Sequence, residues 1–157
     1  MDRMRESVFS ALGDISGLSF LDLFSGTGLI ALEAASRGAS YIEAVESDPL
    51  KRKILLENVS MSPVRINCRF LAAELYVKRA KREFDIIFLD PPFPYKHRHE
   101  LLSAVAASRL VSIETLILIH RPGEDCQLKN FEELALRESR EYGRSIIDFF
   151  CMKNREI

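Results

Sequence analysis

Short apolar runs alternate along the chain with longer segments in which apolar residues recur at helical spacing. Nearly continuous apolar runs are typical of parallel strands that are covered on both faces. The runs predict five strands, at residues 18–24, 41–46, 64–70, 84–90 and 115–120. The segments between them predict helices at residues 28–37, at 48–60, from the third strand to about residue 82, and at 100–108. This order of elements is typical of an α/β protein.

The end of the chain has a different pattern. Residues 133–141 and 144–153 are two extended segments joined across Tyr142 and Gly143, with no room for a helix between them. Such a pair predicts an antiparallel hairpin. With right-handed crossovers between the other strands, we expect a doubly wound, mostly parallel sheet of seven strands that ends in this hairpin. We find no internal repeat or linker, so residues 1–157 form a single predicted domain.

Composition narrows the class of protein. The chain is 47% hydrophobic and 29% charged, which are ordinary globular values. With a net charge of −1, the chain as a whole is not expected to attract nucleic acid. Any binding to nucleic acid must therefore come from a local patch of positive charge. Three widely spaced cysteines without a CxxC pair indicate reduced thiols rather than disulfides or a zinc site. Without an apolar h-region or a membrane-length run, we expect a cytoplasmic protein.

A glycine-containing turn follows the first predicted strand. The segment LDLFSGTG places Asp22, Gly26 and Gly28 where that strand gives way to a helix, and Glu46 ends the second strand 18 residues after Gly28. Glycines allow close approach of a ligand, and an acid at this spacing accepts ribose hydroxyls. With Ala31 the turn also satisfies the dinucleotide pattern GxGxx[G/A]. An adenosine-type ligand is therefore favoured over an ordinary surface turn, without specifying which one.

The fourth predicted strand ends in Asp90-Pro91-Pro92-Phe93. Tandem prolines lock the backbone into an extended exit from the sheet. The Asp90 carboxylate and the Pro91 carbonyl then offer two acceptors near one point, which suits an NH₂ group on a planar base, and Phe93 offers a stacking surface. The alternative is a proline-rich turn after a buried strand, and the neighbouring adenosine-type site favours the functional interpretation.

These motifs resemble a known family. LDLFSGTGLIALEAASRGA, then VESD, then FDIIFLDPPF are similar to the S-adenosylmethionine-dependent amino-methyltransferases, and DRMRESVFSAL resembles the segment before their first strand. The chain is most similar to the RsmD-type enzymes, which methylate the N2 amine of a guanine in small-subunit (16S) ribosomal RNA. The resemblance covers residues 2–153 and implies a Rossmann-like class I methyltransferase fold.

The resemblance also implies roles for individual residues. The residues from Asp22 to Gly28 would surround the methionine part of S-adenosylmethionine, Glu46 would bind its ribose, and the backbone after strand three, or Glu74, would read its adenine. The implied cofactor-binding residues are Asp22, Phe24, Ser25, Gly26, Thr27, Gly28, Glu46, Ser47, Leu71 and Ala72. The implied catalytic residues, which would hold the target amine and base, are Asp90, Pro91, Pro92 and Phe93.

Substrate contacts are expected on both sides of this site. Arg5, together with Glu6 and Phe9, matches the segment before the first strand, and Lys96 and Arg98 flank the Asp-Pro-Pro-Phe segment, where they would meet RNA phosphates. Family members usually carry a β-hairpin and an Arg-Pro-Thr segment, implied to hold RNA, ahead of the stretch that here follows Met1.

Four smaller points complete the expectations. The basic run at residues 78–82 is expected to complement a helix dipole. His120 either lies near the site or is an interior histidine, and the histidine spacing indicates no metal. The predicted partner is ribosomal RNA or the small ribosomal subunit. The predicted oligomeric state is a monomer. Alternative functions are amino methylation of another RNA, of DNA adenine or cytosine or of a protein glutamine, and non-catalytic dinucleotide binding.

Overall fold

A computed structural model of the protein describes residues 2–153. Its seven strands form a single sheet with the order β3-β2-β1-β4-β5-β7-β6. The first five strands pair in parallel, whereas β7 runs antiparallel to both β5 and β6. The strands are β1 Ser19–Leu23, β2 Tyr41–Val45, β3 Ile66–Arg69, β4 Ile86–Leu89, β5 Leu116–Pro122, β6 Leu134–Tyr142 and β7 Ser145–Met152. The predicted fold class, including the C-terminal hairpin, is confirmed.

Helices cover both faces of the sheet. They are α1 Asp2–Leu12, α2 Leu29–Ser36, α3 Arg52–Val59, α4 Ala73–Lys78 and α5 Arg98–Ala106. Because strand side chains alternate between faces, the central strands contribute to two separate cores. Phe20 packs into the core beneath α1, α2 and α3, and its neighbour Leu21 into the core beneath α4 and α5. Phe149 and Phe150 divide between the same two cores, as expected of a strand buried on both sides.

Three predicted boundaries shift for local reasons. The helix expected from Asp48 opens with a 3₁₀ turn, Pro49–Lys51, and Asp48 caps it through a 2.9 Å bond from the Leu50 backbone N–H. Strand β3 begins at Ile66, because Ser62 accepts a bond from the Val64 N–H and donates one to its carbonyl.

Helix α4 ends at Lys78 rather than near Arg82. The chain then turns, which brings the Arg82 guanidinium to 3.6 Å from the centre of the Tyr41 ring. The end of the basic run is thereby held against β2, at a cation–π distance.

The sheet order positions the functional residues. β1 and β4 lie side by side although they are far apart in sequence, so the chain reverses its winding direction between them. Ligands in such sheets bind beyond the carboxyl ends of the strands at this switch point. Leu23, Val45, Leu89 and Ile119 end the paired segments of four neighbouring strands in register, so the loops that follow share one edge.

Across residues 2–153, none of the helices is both long and apolar enough to cross a membrane. The same residues contain no cluster of three or more histidine, cysteine or acidic side chains suited to a metal ion. Cys68, Cys126 and Cys151 are free thiols, as their spacing predicts.

Candidate active site

A cavity of about 720 Å³ lies at the carboxyl edge of the sheet, between the loops that follow β1, β2 and β4. Its size is in the range of ordinary small-molecule sites. Its wall contains most of the residues singled out from the sequence. They are Phe24, Ser25, Gly26, Thr27, Glu46, Ser47, Asp90, Pro91, Pro92 and Phe93. Leu29, Ile30, Asp48, Lys51, Glu74, Tyr95 and His120 complete it.

The loop after β1 turns through three residues with positive φ: Phe24 (63°), Gly26 (60°) and Gly28 (87°). A Cβ on Gly26 would meet no atom within 4 Å, so its backbone is open to a ligand. A Cβ on Gly28 would lie 2.6 Å from the Leu55 Cδ1. The two glycines therefore have different uses: Gly26 leaves room in the cavity, and Gly28 lets α2 start against α3.

Glu46 connects two of the loops. Its Oε1 accepts a 2.6 Å bond from the Gly26 N–H, and its Oε2 a 2.9 Å bond from the Asp48 N–H. Asn58 of α3 adds a third tie by donating to the Thr27 carbonyl at 2.7 Å. Because a carboxylate oxygen has two acceptor positions, each Glu46 oxygen retains one. Glu46 can therefore hold the loops and still accept two hydroxyl groups of a ligand.

Asp22 supports the same loop from beneath. It is 1% exposed and accepts a 2.8 Å bond from the Ser25 hydroxyl. Burial, opposed by that hydrogen bond and reinforced by the charges of Asp90 and Glu46, raises the pKa of Asp22 to about 8. Asp22 and Gly28 are not part of the cavity wall, and Asp22 supports the loop; their contact with a cofactor stays a prediction.

The Asp-Pro-Pro-Phe segment presents its carboxylate at the cavity. The Asp90 side chain is 26% exposed, and its Oδ1 lies 2.8 Å from the Nδ1 of His120. Phe93 is 46% exposed, and its ring meets the His120 ring at 5.2 Å and 65°. One carboxylate oxygen is thus held by the histidine, the other remains for a ligand, and an aromatic face lies nearby.

The position of Arg98 contradicts its prediction as an RNA-binding residue. Its side chain is buried instead of facing RNA, and its guanidinium donates to the carbonyls of Pro92 at 3.2 Å and Tyr95 at 2.6 Å. Burial lowers the pKa of Arg98, and the nearby Asp125 opposes the shift. The Arg98 side chain therefore extends from α5 and fixes the loop after β4. Lys96, the other residue expected to meet phosphate, is exposed.

Glu74 and Tyr95 are joined by a hydrogen bond in the cavity wall. The Tyr95 hydroxyl donates to the Glu74 carboxylate at 2.5 Å, and the Tyr95 ring lies edge-on to Phe24 at 5.6 Å. Burial and the Glu74 hydrogen bond raise the pKa of Tyr95. Leu71 and Ala72, expected to line the adenine position, are outside the cavity wall, because Leu71 packs towards the α4 core while Ala72 faces solvent. Glu74 takes their place in the wall.

The N-terminal segment is placed differently from the prediction. Phe9 is fully buried and stacks on Phe20 at 5.7 Å, so it belongs to the core. The Arg5 Nε lies 3.4 Å from a Glu33 carboxylate oxygen, between α1 and α2. None of Arg5, Glu6 and Phe9 is in the cavity wall. The burial of Phe9 contradicts its expected place at the site, whereas contact of Arg5 and Glu6 with a substrate stays a prediction.

Several residues of the site were not assigned from the sequence, among them Tyr95 and His120 in the cavity wall and Asn58 behind it. The signal for His120 was available in part, because it ends a predicted strand. The order of strands was needed as well, since the pairing of Leu89 with Ile119 puts Asp90 and His120 at adjacent positions on neighbouring strands.

Comparison with solved structures identifies the fold. The putative methyltransferase yhhF from Escherichia coli superposes with a TM-score of 0.88, at 23% identity, over 99% of this chain and 89% of the other. SMU.776, a putative methyltransferase complexed with SAH, superposes with a TM-score of 0.73, at 16% identity, over 95% of this chain and 48% of the other. The chain therefore has the fold of the class I methyltransferases.

The sequence comparison identifies the family. A family model described as "Conserved hypothetical protein 95" matches residues 1–151, and the chain belongs to this family, the RsmD family. The Escherichia coli K12 protein named "Ribosomal RNA small subunit methyltransferase D" is 28% identical over 127 residues, which cover 79% of this chain and 64% of that protein. The chain spans 20–64% of the lengths of four curated relatives that it matches.

Proposed function

We propose that this chain transfers a methyl group from S-adenosylmethionine to the exocyclic N2 amine of a guanine in small-subunit ribosomal RNA. The observation that carries the proposal is the Asp90 carboxylate, presented at the cavity with one oxygen held by His120 and the other available to an amine. Membership of the RsmD family supports ribosomal RNA as the substrate class.

The charge of the cavity fits a cationic cofactor. Its wall carries four carboxylates, Glu46, Asp48, Glu74 and Asp90, against one ammonium group, that of Lys51. A sulfonium is attracted to such a site, whereas the pyrophosphate of a dinucleotide is repelled. The non-catalytic dinucleotide-binding alternative is disfavoured for this reason.

The residues of the cavity fit the three parts of S-adenosylmethionine. The backbone around Gly26 would face the methionine part, the two remaining acceptor positions of Glu46 the ribose hydroxyls, and Glu74 the adenine amine. When bound, the cofactor supplies an electrophilic methyl group on its sulfonium. These assignments place the loops after β1 and β2 around the cofactor and leave the loop after β4 to the substrate.

The loop after β4 would hold the acceptor base. Asp90 accepts a hydrogen bond from the amine through its second oxygen, and the Pro91 carbonyl offers another acceptor next to it. Phe93 stacks on the flat base, which must be unpaired or flipped out of a helix to reach this depth. Positioning of this kind can contribute about 7–11 kcal/mol to lowering a barrier.

The reaction balances without a metal. The amine nitrogen would form a bond to the methyl carbon that the cofactor supplies, the bond between that carbon and sulfur would break with its electron pair remaining on sulfur, and the amine would lose a proton. Asp90 is placed to accept that proton and to pass it to solvent, since its side chain is partly exposed.

Transfer of a tritiated methyl group tests the proposal. Small ribosomal subunits from cells that lack the enzyme, and naked RNA prepared from them, are incubated with the protein and labelled cofactor, and the nucleosides are then separated. We expect the label in N2-methylguanosine. Label in methyladenosine would move the activity to another amine, and label in protein would overturn RNA as the substrate.

A further inference from the structure

We propose that His120 is a positioning residue: its imidazole Nδ1–H holds one oxygen of Asp90, so that the other oxygen is presented to the target amine. The inference rests on the proposed function, because it assigns a purpose to the orientation of Asp90. It assigns His120 no part in the transfer of the methyl group or of the proton.

The geometry defines the direction of the hydrogen bond. The His120 Nδ1 lies 2.8 Å from the Asp90 Oδ1, a distance typical of a charge-assisted bond. An ionised carboxylate has no proton to donate, so the proton must lie on Nδ1.

Among residues 2–153, Nδ1 is the ring nitrogen of His120 that has a hydrogen-bond partner. His120 is 5% exposed, and its Nε2 is buried without a partner among the same residues. The Arg98 guanidinium lies on the backbone side of His120, where its Nε donates to the His120 carbonyl. Arg121, the next residue, is paired with Asp148 at 2.6 Å. The contact of the ring with Asp90 is therefore made through Nδ1.

Arg98 fixes the distance between the two partners. Its Nε donates to the His120 carbonyl at 3.4 Å, and its two terminal nitrogens donate to the Tyr95 and Pro92 carbonyls. The end of β5 and the loop after β4 are therefore connected by a single buried side chain. His120 is held where its ring meets Asp90, and Asp90 cannot rotate without losing that bond.

Kinetics of two His120 variants test the role. His120→Ala removes the donor, whereas His120→Asn keeps an N–H near the position of Nδ1. Loss of one charge-assisted hydrogen bond should lower kcat about 10- to 100-fold in His120→Ala. The KM for S-adenosylmethionine and the affinity for S-adenosylhomocysteine should stay unchanged, and His120→Asn should recover most of kcat. An alanine variant with kcat within twofold of the parent, or a folded asparagine variant no more active than alanine, overturns the role.

Two further measurements keep the inference separate from folding and from the proposed function. Nitrogen-15 spectra of the parent protein should show a proton on the Nδ1 of His120, and an Nδ1 without a proton overturns the inference even if the alanine variant fails to fold. Asp90→Ala is assayed alongside: if it stays active, the proposed function fails, whereas an inactive Asp90→Ala beside an active His120→Ala contradicts only the role of His120.

Discussion

Asp22 makes the stability of this protein depend on pH in a direction unusual for an aspartate. Because the pKa of Asp22 is raised to about 8 by burial, the folded protein carries this proton at neutral pH. The unfolded chain, with the ordinary value of 3.8, has lost it. Between these two values the folded state binds more protons than the unfolded state, so the free energy of unfolding falls as pH rises. Above the folded value the contribution is constant.

Asp22→Asn isolates this contribution. Asparagine is neutral at every pH and has the shape of the protonated acid, and its carbonyl can accept the bond from Ser25. The wild-type protein loses about 1.4 kcal/mol of stability for each pH unit between the two pKa values, and the variant does not. Relative to wild type, the variant should therefore gain about 3 kcal/mol between pH 5 and pH 7.5.

Urea unfolding of both proteins, measured at several pH values from 5 to 9, gives the difference directly, because all other titrations cancel. The difference should rise with pH and level off above pH 8. Asp14→Asn is the matched control: Asp14 is exposed, and the Ser16 backbone N–H lowers its pKa from 3.8, so the difference between this variant and wild type should stay nearly constant from pH 5 to pH 9. A difference for Asp22→Asn that is the same at every pH would refute the reasoning.

Other residues give sharper tests of the cofactor and substrate assignments. Glu46→Gln puts an amide where a carboxylate accepts backbone N–H groups, so the affinity for S-adenosylhomocysteine, measured by calorimetry, should fall about 10- to 100-fold. Gly28→Ala should destabilise the fold by about 2–4 kcal/mol in urea, since it combines a positive φ with a clash against Leu55. Lys96→Ala should weaken RNA binding and reduce the slope of log affinity against log salt by about 0.7–0.9, while Arg98→Ala should lower the melting temperature instead.

The fold could be predicted because strands buried on both faces leave a strong signal. Leu21 and Phe20, neighbours in sequence, both had to be apolar since each faces a different core. The Asp-Pro-Pro-Phe segment and Glu46 could be found for a related reason. A charged residue at the end of a buried strand is easy to recognise, because the residues before it are apolar. The carboxyl edge of a parallel sheet then brings such residues together.

The errors concern residues whose roles depend on a partner from a distant element. Arg98 reads as a surface cation in sequence, but the buried carbonyls of Pro92 and Tyr95 draw its guanidinium inward. Phe9 matches a segment next to the family's first strand, yet the face of α1 that carries it is the one packed on Phe20. Neither partner is visible in the local pattern, so a single sequence could not assign these side chains.

The central claim is that the Asp90 carboxylate binds the acceptor amine. The rate of single-turnover methyl transfer by Asp90 variants tests it. Asp90→Ala and Asp90→Asn are compared with the parent protein on the same RNA, and S-adenosylhomocysteine binding is measured in parallel. The alanine variant should lose at least about 100-fold in rate while it binds the product as the parent does, and asparagine, which keeps one acceptor oxygen, should lose less. An alanine variant that transfers methyl groups at close to the parent's rate would contradict the account.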